Sequence, residues 1–112
     1  MTNPNDIARV PVIFDHLAAE AQIPALRGQS GVFEFDITDG GGKWFVNLDH
    51  GKPRLVEGTD HPDVVIECAP SDFIAMTEGR QNLMTAFLQG RLKVTGDLAL
   101  ALDFRRLTPV PA

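Results

Sequence analysis

Two histidines and three aspartates fall within residues 49–63, and these are residue types that bind metal ions. They are Asp49, His50, Asp60, His61 and Asp63. Imidazole nitrogens and carboxylate oxygens are ligands for zinc, but these residues lie in two turn-forming segments, beside Gly51 and Pro62, where Asp and His commonly bond to nearby backbone. Neither an H-E-x-x-H helix, nor a C-x-x-C pair, nor calcium-loop spacing accompanies them. We therefore interpret them as turn residues and predict no metal site.

The side chains that could serve as nucleophiles lack the context that catalysis needs. Ser30 and Ser71 are not within the G-x-S-x-G turn of a serine hydrolase. Cys68 ends the apolar run Val64–Cys68, which is typical of a buried strand in which a thiol behaves as a small core residue. The sequence therefore predicts no nucleophilic catalysis.

An acidic pair and a glycine run could suggest acid–base chemistry or phosphate binding. Glu34 and Asp36 alternate with apolar residues, which predicts the solvated face of a strand and not the cleft that would shift their pKa values. The Gly40–Gly42 run joins two strands and does not open a helix, so its N–H groups are not gathered at a helix N-terminus. We expect no catalytic residues and no cofactor, and we do not expect an enzyme.

Composition limits the class of protein further. The 112 residues, 44% of them hydrophobic, fit one domain over residues 1–112. A net charge of -5 disfavours nucleic acid and allows at most transient contact with a membrane. Cys68 is the single cysteine, and residues 1–9 do not resemble a signal peptide. With no apolar run long enough to span a bilayer, the sequence predicts a soluble cytoplasmic protein.

Hydrophobic periodicity predicts a helix, then four strands, in the first two thirds of the chain. The helix is expected over Pro11–Ala21, with Pro11 in its first turn. The strands are expected at Gly31–Thr38, around Trp44–Leu48, at Arg54–Glu57 and at Val64–Cys68. Because short turns join them, we expect an antiparallel meander.

The remainder of the chain predicts two short helices, a fifth strand and a final helix. Ser71 is the expected N-cap of the first short helix, and the second short helix is expected over Asn82–Gln89. The fifth strand is expected over Arg91–Thr95. Asp97 is the expected N-cap of a final helix over Leu98–Leu107. Helices placed outside a largely antiparallel block of strands indicate the α+β class.

The final helix carries large apolar side chains on two opposite faces. Leu100, Phe104 and Leu107 share one stripe, whereas Leu98 and Leu102 fall nearly across the axis. One stripe can pack on a core. The second needs a partner, which is a lipid-like ligand, another protein chain or a membrane surface.

The short helix before the fifth strand is also more apolar than a surface helix requires. Only Thr85 and Gln89 form a polar strip on it. The surplus apolar residues of the C-terminal half are Met76, Leu83, Met84, Phe87, Leu88, Leu98, Leu102 and Phe104. A plain packed core explains them, but methionines and glycine-flanked short helices also suit an adaptable apolar binding space.

Several motifs resemble the sterol carrier protein 2 (SCP2) domain family. They are Lys43–Leu48 (KWFVNL), Pro62–Ile66 (PDVVI) leading into Ser71–Phe73, and Ala86–Asp97 (AFLQGRLKVTGD). The resemblance covers about Gly31 to Leu107. It implies a five-stranded, mainly antiparallel sheet covered by about four to five helices, as in small bacterial stand-alone members.

The resemblance also implies a non-catalytic function in binding, and in some members transferring, a fatty acyl chain, sterol-like molecule or other lipid in a tunnel between the sheet and the C-terminal helices. By position, the ligand-binding candidates are Trp44, Met76, Leu83, Met84, Phe87, Leu88, Leu98, Leu102 and Phe104. The alternative is an interaction module, either a homodimer or the partner of a lipid- or quinone-processing enzyme, which uses the same apolar surface.

Overall fold

A computed structural model of the chain describes residues 4–19, 28–58, 61–78 and 80–102. The elements in chain order are α1 (Pro4–Ala18), β1 (Gly31–Ile37), β2 (Gly42–Asp49), β3 (Lys52–Val56), β4 (Val64–Cys68), α2 (Pro70–Thr77), α3 (Leu83–Leu88), β5 (Leu92–Gly96) and α4 (Leu98–Leu102). The predicted α+β class is confirmed.

The strands form one five-stranded sheet in the order β3-β2-β1-β4-β5. Three of its pairings are antiparallel, but β4 runs parallel to β1, with Phe33 opposite Val64 and Phe35 opposite Ile66. The predicted simple meander is therefore wrong, although the sheet is mainly antiparallel as expected. This order places β1, whose Phe33 and Phe35 are fully buried, in the centre of the sheet, and leaves β3, which contains Pro53, at an edge where a missing N–H is tolerated.

Helix α1 begins earlier than predicted. It starts at Pro4, and Pro11 lies inside it instead of in its first turn. The buried stripe of Val10, Phe14 and Leu17 follows the i, i+4, i+7 spacing of one helix face and extends across the proline. Burial of this stripe offsets the backbone hydrogen bond that Pro11 cannot donate.

Phe14 connects α1 to the inner face of the sheet and to α2. Its ring stacks on Trp44 of β2 at a centroid distance of 4.7 Å and on Phe73 of α2 at 5.1 Å, and it lies tilted against Phe35 of β1 at 5.4 Å. This aromatic cluster fills the space between α1, α2 and the sheet.

Caps at the helix N-termini are partly as predicted. The N-cap of α2 is Ala69, without a side-chain hydrogen bond, and Pro70 occupies the first turn, so the prediction of Ser71 as the cap is wrong. Pro70 has no N–H that needs an acceptor, which reduces the need for a polar cap. Asn82 caps α3, and the Asp97 carboxylate accepts a hydrogen bond from the Leu100 N–H at 3.1 Å, as predicted for α4.

The last two helices lie beside the edge strand β5. Helix α3 packs against β5, and α4 packs against both β4 and β5. In the described ranges, no helix has the length and hydropathy required to cross a membrane.

Candidate ligand-binding site

Three leucines on α3 and α4 are exposed in the structure. Leu88 is 75% exposed, and Leu98 and Leu102 are each 40% exposed. Because both helices pack against β5, the three side chains lie on elements that flank one edge of the sheet.

Helix α4 is two-sided, as its periodicity predicts. Leu100 is 5% exposed and Ala101 is fully buried, whereas Leu98 and Leu102 face outward. Leu100 sits so closely on β1 that a Cβ added at Gly31 would lie 2.6 Å from its Cδ2. The other two residues assigned to the sequence pattern, Phe104 and Leu107, lie outside the described residues.

Helix α3 is apolar around most of its circumference. Leu83 and Ala86 are buried, Met84 and Phe87 are half-buried, and Leu88 is exposed. The Asn82 Oδ1 accepts hydrogen bonds from the N–H groups of residues 84 and 85 at 2.9 and 3.2 Å, so the start of the helix is fixed. At its other end the chain passes through Gly90, which has a φ of 75°.

The two predicted ligand-binding residues outside α3 and α4 lie deeper in the protein. Trp44 is half-buried in β2, and its indole N–H donates to the Gly41 carbonyl at 2.8 Å. Met76 is buried in α2, which packs against α1. In the sheet register, Trp44 shares one inner-face row with Val94 of β5, three strand spacings or about 14 Å away.

The structure therefore packs both α3 and α4 against β5, and it places Trp44 and Met76 elsewhere in the layer between sheet and helices. The predicted set omits Val94, which lies between the two helices in sequence, shares the inner face of the sheet with Trp44 and is half-buried. Its signal in the sequence is its alternation with Arg91 and Lys93, which places it on the same face as buried Leu92.

Two of the grouped aspartates have side-chain partners in the structure, one in β1 and one in the same turn. The Asp63 carboxylate accepts a hydrogen bond from the Val32 N–H at 2.7 Å, and Asp49 Oδ1 lies 2.7 Å from His50 Nδ1. Asp60 lies outside the described residues. In the described part of the chain, no three His, Cys, Asp or Glu side chains are close enough to hold a metal ion.

The remaining titratable groups of interest lie in the sheet. Burial raises the pKa of the Glu34 carboxyl, as does its neighbour Asp36, against the opposing effect of Lys43. The Lys43 Nζ lies 4.0 Å from a carboxylate oxygen of each acid. Burial, with smaller effects of Asp72 and Glu67, raises the pKa of the Cys68 thiol to about 12. This thiol is a core group and not a nucleophile at neutral pH.

Comparison with known proteins relates this fold and apolar surface to one family. Residues 14–109 match the model of the SCP-2 sterol transfer family. Human sterol carrier protein 2 is 40% identical over 86 residues, which cover 72% of this chain and 16% of the human protein. The chain thus spans about a sixth of the length of this relative.

Two solved structures share the fold over nearly their whole length. Sterol carrier protein 2 of Aedes aegypti, solved in complex with palmitate, aligns with a TM-score of 0.64 and 23% identity, covering 99% of this chain and 100% of that one. The ubiquinone synthesis protein UbiJ-SCP2 aligns with a TM-score of 0.68 and 15% identity, covering 93% and 92%. By its family match and its fold, the chain belongs to the SCP-2 sterol transfer family.

Proposed function

We propose that this chain binds an apolar lipid, a fatty acyl chain in the first instance, between the inner face of the sheet and helices α3 and α4. The observation that carries the proposal is the exposure of Leu88, Leu98 and Leu102 on helices α3 and α4 beside β5, because a ligand that extends from beneath these helices to their open side would cover the three side chains. Family membership supports a lipid as the ligand, and the palmitate bound by the Aedes aegypti protein supports an acyl chain.

The free energy available is sufficient for micromolar binding. Covering the exposed fractions of the three leucines contributes about 2–5 kcal/mol at roughly 1.5–3 kcal/mol for a fully buried side chain. Ten acyl methylenes removed from water add roughly 8 kcal/mol. A Kd near 1 μM corresponds to about 8 kcal/mol, which leaves several kcal/mol to offset ordering of ligand and side chains.

The ligand enters, in this proposal, by outward displacement of α3 and α4 from β5. Each helix is fixed at its N-terminus by a side-chain cap, Asn82 for α3 and Asp97 for α4. Displacement therefore takes place mainly in the turns that follow these caps, where Leu88 and Leu102 lie. Gly90, with its positive φ, permits the change of backbone direction after α3.

The predicted ligand-binding residues keep distinct roles in this proposal. Leu83, Met84 and Phe87 of α3 line the site beneath the helix, and the exposed Leu98 and Leu102 of α4 cover the part of the ligand that reaches the surface. Trp44 and Met76 are reached by the far end of a long acyl chain, and Phe104, which lies outside the described residues, stays a candidate from its place in the sequence. We propose non-catalytic binding and transfer between donors and acceptors, in the cytoplasm.

A fatty-acid titration with matched variants tests the proposal. The delipidated protein is titrated with cis-parinaric acid, and energy transfer from Trp44 reports occupancy. Replacing Leu98 and Leu102 by Asn should weaken binding roughly 7- to 50-fold, because together they expose the equivalent of 0.8 of a leucine side chain. Val12→Asn is the control, since Val12 is an exposed apolar residue on α1.

Two results would overturn the proposal. One is the absence of saturable binding across fatty acids, sterols and phospholipids, with no lipid extracted from the native protein and identified by mass spectrometry. The other is an equal loss of affinity in the Val12→Asn control, which would show that the effect does not arise at α4.

The alternative is an interaction module that uses the same leucines to contact another chain, such as a lipid- or quinone-processing enzyme or a second copy. The observation favouring it is that Leu98 and Leu102 are exposed while Leu100, between them, is buried. The fold shared with UbiJ-SCP2 is consistent with such an accessory role. Replacing Leu98 and Leu102 by Asp discriminates: loss of association with lipid binding retained supports the interface, and the reverse supports the lipid site.

A further inference from the structure

The backbone hydrogen bonds of β4 fix which groups of β5 point away from the sheet. The Thr38 N–H donates to the Cys68 carbonyl at 2.9 Å, so the Cys68 carbonyl points toward β1. Backbone groups alternate sides along a strand, so Glu67 directs its N–H and carbonyl toward β5, where it faces Lys93. The Asp97 N–H donates to the Asp63 carbonyl at 2.9 Å. This bond agrees with the alternation, because it joins the strands at residues an even number of positions from Lys93 and Glu67.

It follows that Lys93 and Thr95 use their backbone groups to pair with β4, whereas those of Val94 point outward. β5 is the last strand in the sheet order, and no strand of the described residues pairs with its outer side. Val94 lies at the centre of this edge.

The two edges of the sheet differ in their protection against pairing. At the β3 edge, Pro53 removes an N–H. β5 contains no proline and keeps an uninterrupted register with β4. Its single charged residue, Lys93, has its Nζ 3.9 Å from a carboxylate oxygen of Glu67 and so is directed along the sheet's outer face.

We infer that the β5 edge pairs antiparallel with β5 of a second copy of this chain, about a two-fold axis at Val94. In this register the Val94 N–H of each copy donates to the Val94 carbonyl of the other. Lys93 lies opposite Thr95 and Leu92 opposite Gly96. No like charges are directly opposed, and apart from the Val94–Val94 pair at the axis each larger side chain faces a smaller one, so the strand is complementary to itself in charge and size.

The surroundings of β5 also favour a second copy as the occupant. A two-fold axis at Val94 brings α3 and α4 of one copy alongside those of the other, because both helices flank β5. Leu88, Leu98 and Leu102 are exposed on these helices, so they lie on the elements that flank the junction in both copies. The inference concerns the sheet edge and does not require the proposed lipid site.

A charge series at Thr95 tests the pairing without touching the core, because the Thr95 side chain is exposed. Thr95→Lys places each new lysine opposite Lys93 of the other copy, which gives two lysine pairs across the interface. Thr95→Glu places each new carboxylate opposite Lys93 of the other copy. The dimer dissociation constant, measured by sedimentation equilibrium, should rise about 2- to 30-fold for Thr95→Lys and fall by a similar factor for Thr95→Glu. Both changes should diminish in high salt.

A proline pair tests the direction of the backbone groups. Val94→Pro removes an outward N–H and should abolish dimerisation, with a fall in melting temperature no larger than that of Val94→Ala, which removes the same core contacts. Thr95→Pro removes a β4 hydrogen bond and should lower the melting temperature strongly. Binding of cis-parinaric acid by the Thr95→Lys variant, at concentrations where it is monomeric, separates failure of the dimer from failure of the lipid site, because the Thr95 side chain is exposed and lies outside that site.

Three outcomes would overturn the inference. The first is a monomer at all concentrations up to about 1 mM. The second is a dimer insensitive to both Thr95 substitutions but lost when Leu98 and Leu102 become Asp, which would place the interface on the helices alone. The third is a monomer that instead pairs β5 with an extended peptide of another protein.

Discussion

Replacing Phe14 by Ala should destabilise the protein more than any change elsewhere on α1. The side chain is 1% exposed, and it joins α1 to three elements through ring contacts with Trp44, Phe73 and Phe35. A buried Phe→Ala change costs about 3–5 kcal/mol. Because each ring pair adds roughly 0.5–1.5 kcal/mol beyond its area, we expect the upper half of that range, about 4–5 kcal/mol.

Urea unfolding followed by circular dichroism and by Trp44 fluorescence measures this cost. With about 4 °C lost per kcal/mol in a chain of this length, the melting temperature should fall by roughly 16–20 °C. Trp44 emission should also shift to the red in the folded state, since the indole loses the ring stacked on it at 4.7 Å. Val12→Ala is the matched control on the same helix and should change stability by less than about 0.5 kcal/mol.

The reasoning would be refuted by a loss below about 2 kcal/mol in Phe14→Ala, or by equal losses in the two variants. Either result would mean that α1 contributes little to the stability of the sheet, and that the aromatic cluster is not the contact that fixes it.

Three further predictions concern the sheet and α4. Gly31→Ala should destabilise by about 1–3 kcal/mol in urea unfolding, because its Cβ would meet Leu100 Cδ2 at 2.6 Å. Glu34→Gln should raise the unfolding free energy at pH 7 and flatten its pH dependence. Burial and Asp36 raise the pKa of Glu34 in the folded state. The stabilising contribution of Glu34 is therefore complete below its unfolded-state pKa and is lost as the pH rises through its folded-state pKa. The Cys68 thiol, with a pKa of about 12, should react with a disulfide reagent at pH 8 only as fast as the chain unfolds, whereas the same reagent in denaturant should react at once.

Much of the fold is predictable from the sequence because one side of each strand is buried. Alternation assigns Phe33 and Phe35 to the inner face of β1 and Val46 to the inner face of β2, and all three are fully buried. What alternation does not specify is the partner of β4. Val64 and Ile66 would point to the inner face whether β4 paired with β3 or with β1. The residue that indicates an edge position for β3 is Pro53.

The candidate site is predictable only in part. Helical periodicity separates Leu100 from Leu98 and Leu102, and the structure confirms that division. Periodicity does not predict how far apart elements lie, so Trp44 and Leu98 enter one predicted set although β2 and α4 occupy different parts of the protein. Assignment of the individual ligand contacts stays a prediction.

The single parallel pairing has a consequence for the order in which the chain folds. The three strands β1, β2 and β3 pair through short turns, so they require only local contacts. The β1–β4 pairing brings together residues that are distant in sequence, such as Phe33 and Val64. Closing this loop costs conformational entropy, and the new hydrogen bonds offset that cost only if β1 has already formed. Chain topology thus makes β4 and the elements that follow it, α2, α3, β5 and α4, the last part of the molecule to fold. The helices and the strand edge of the proposed ligand and dimer surfaces both belong to this part.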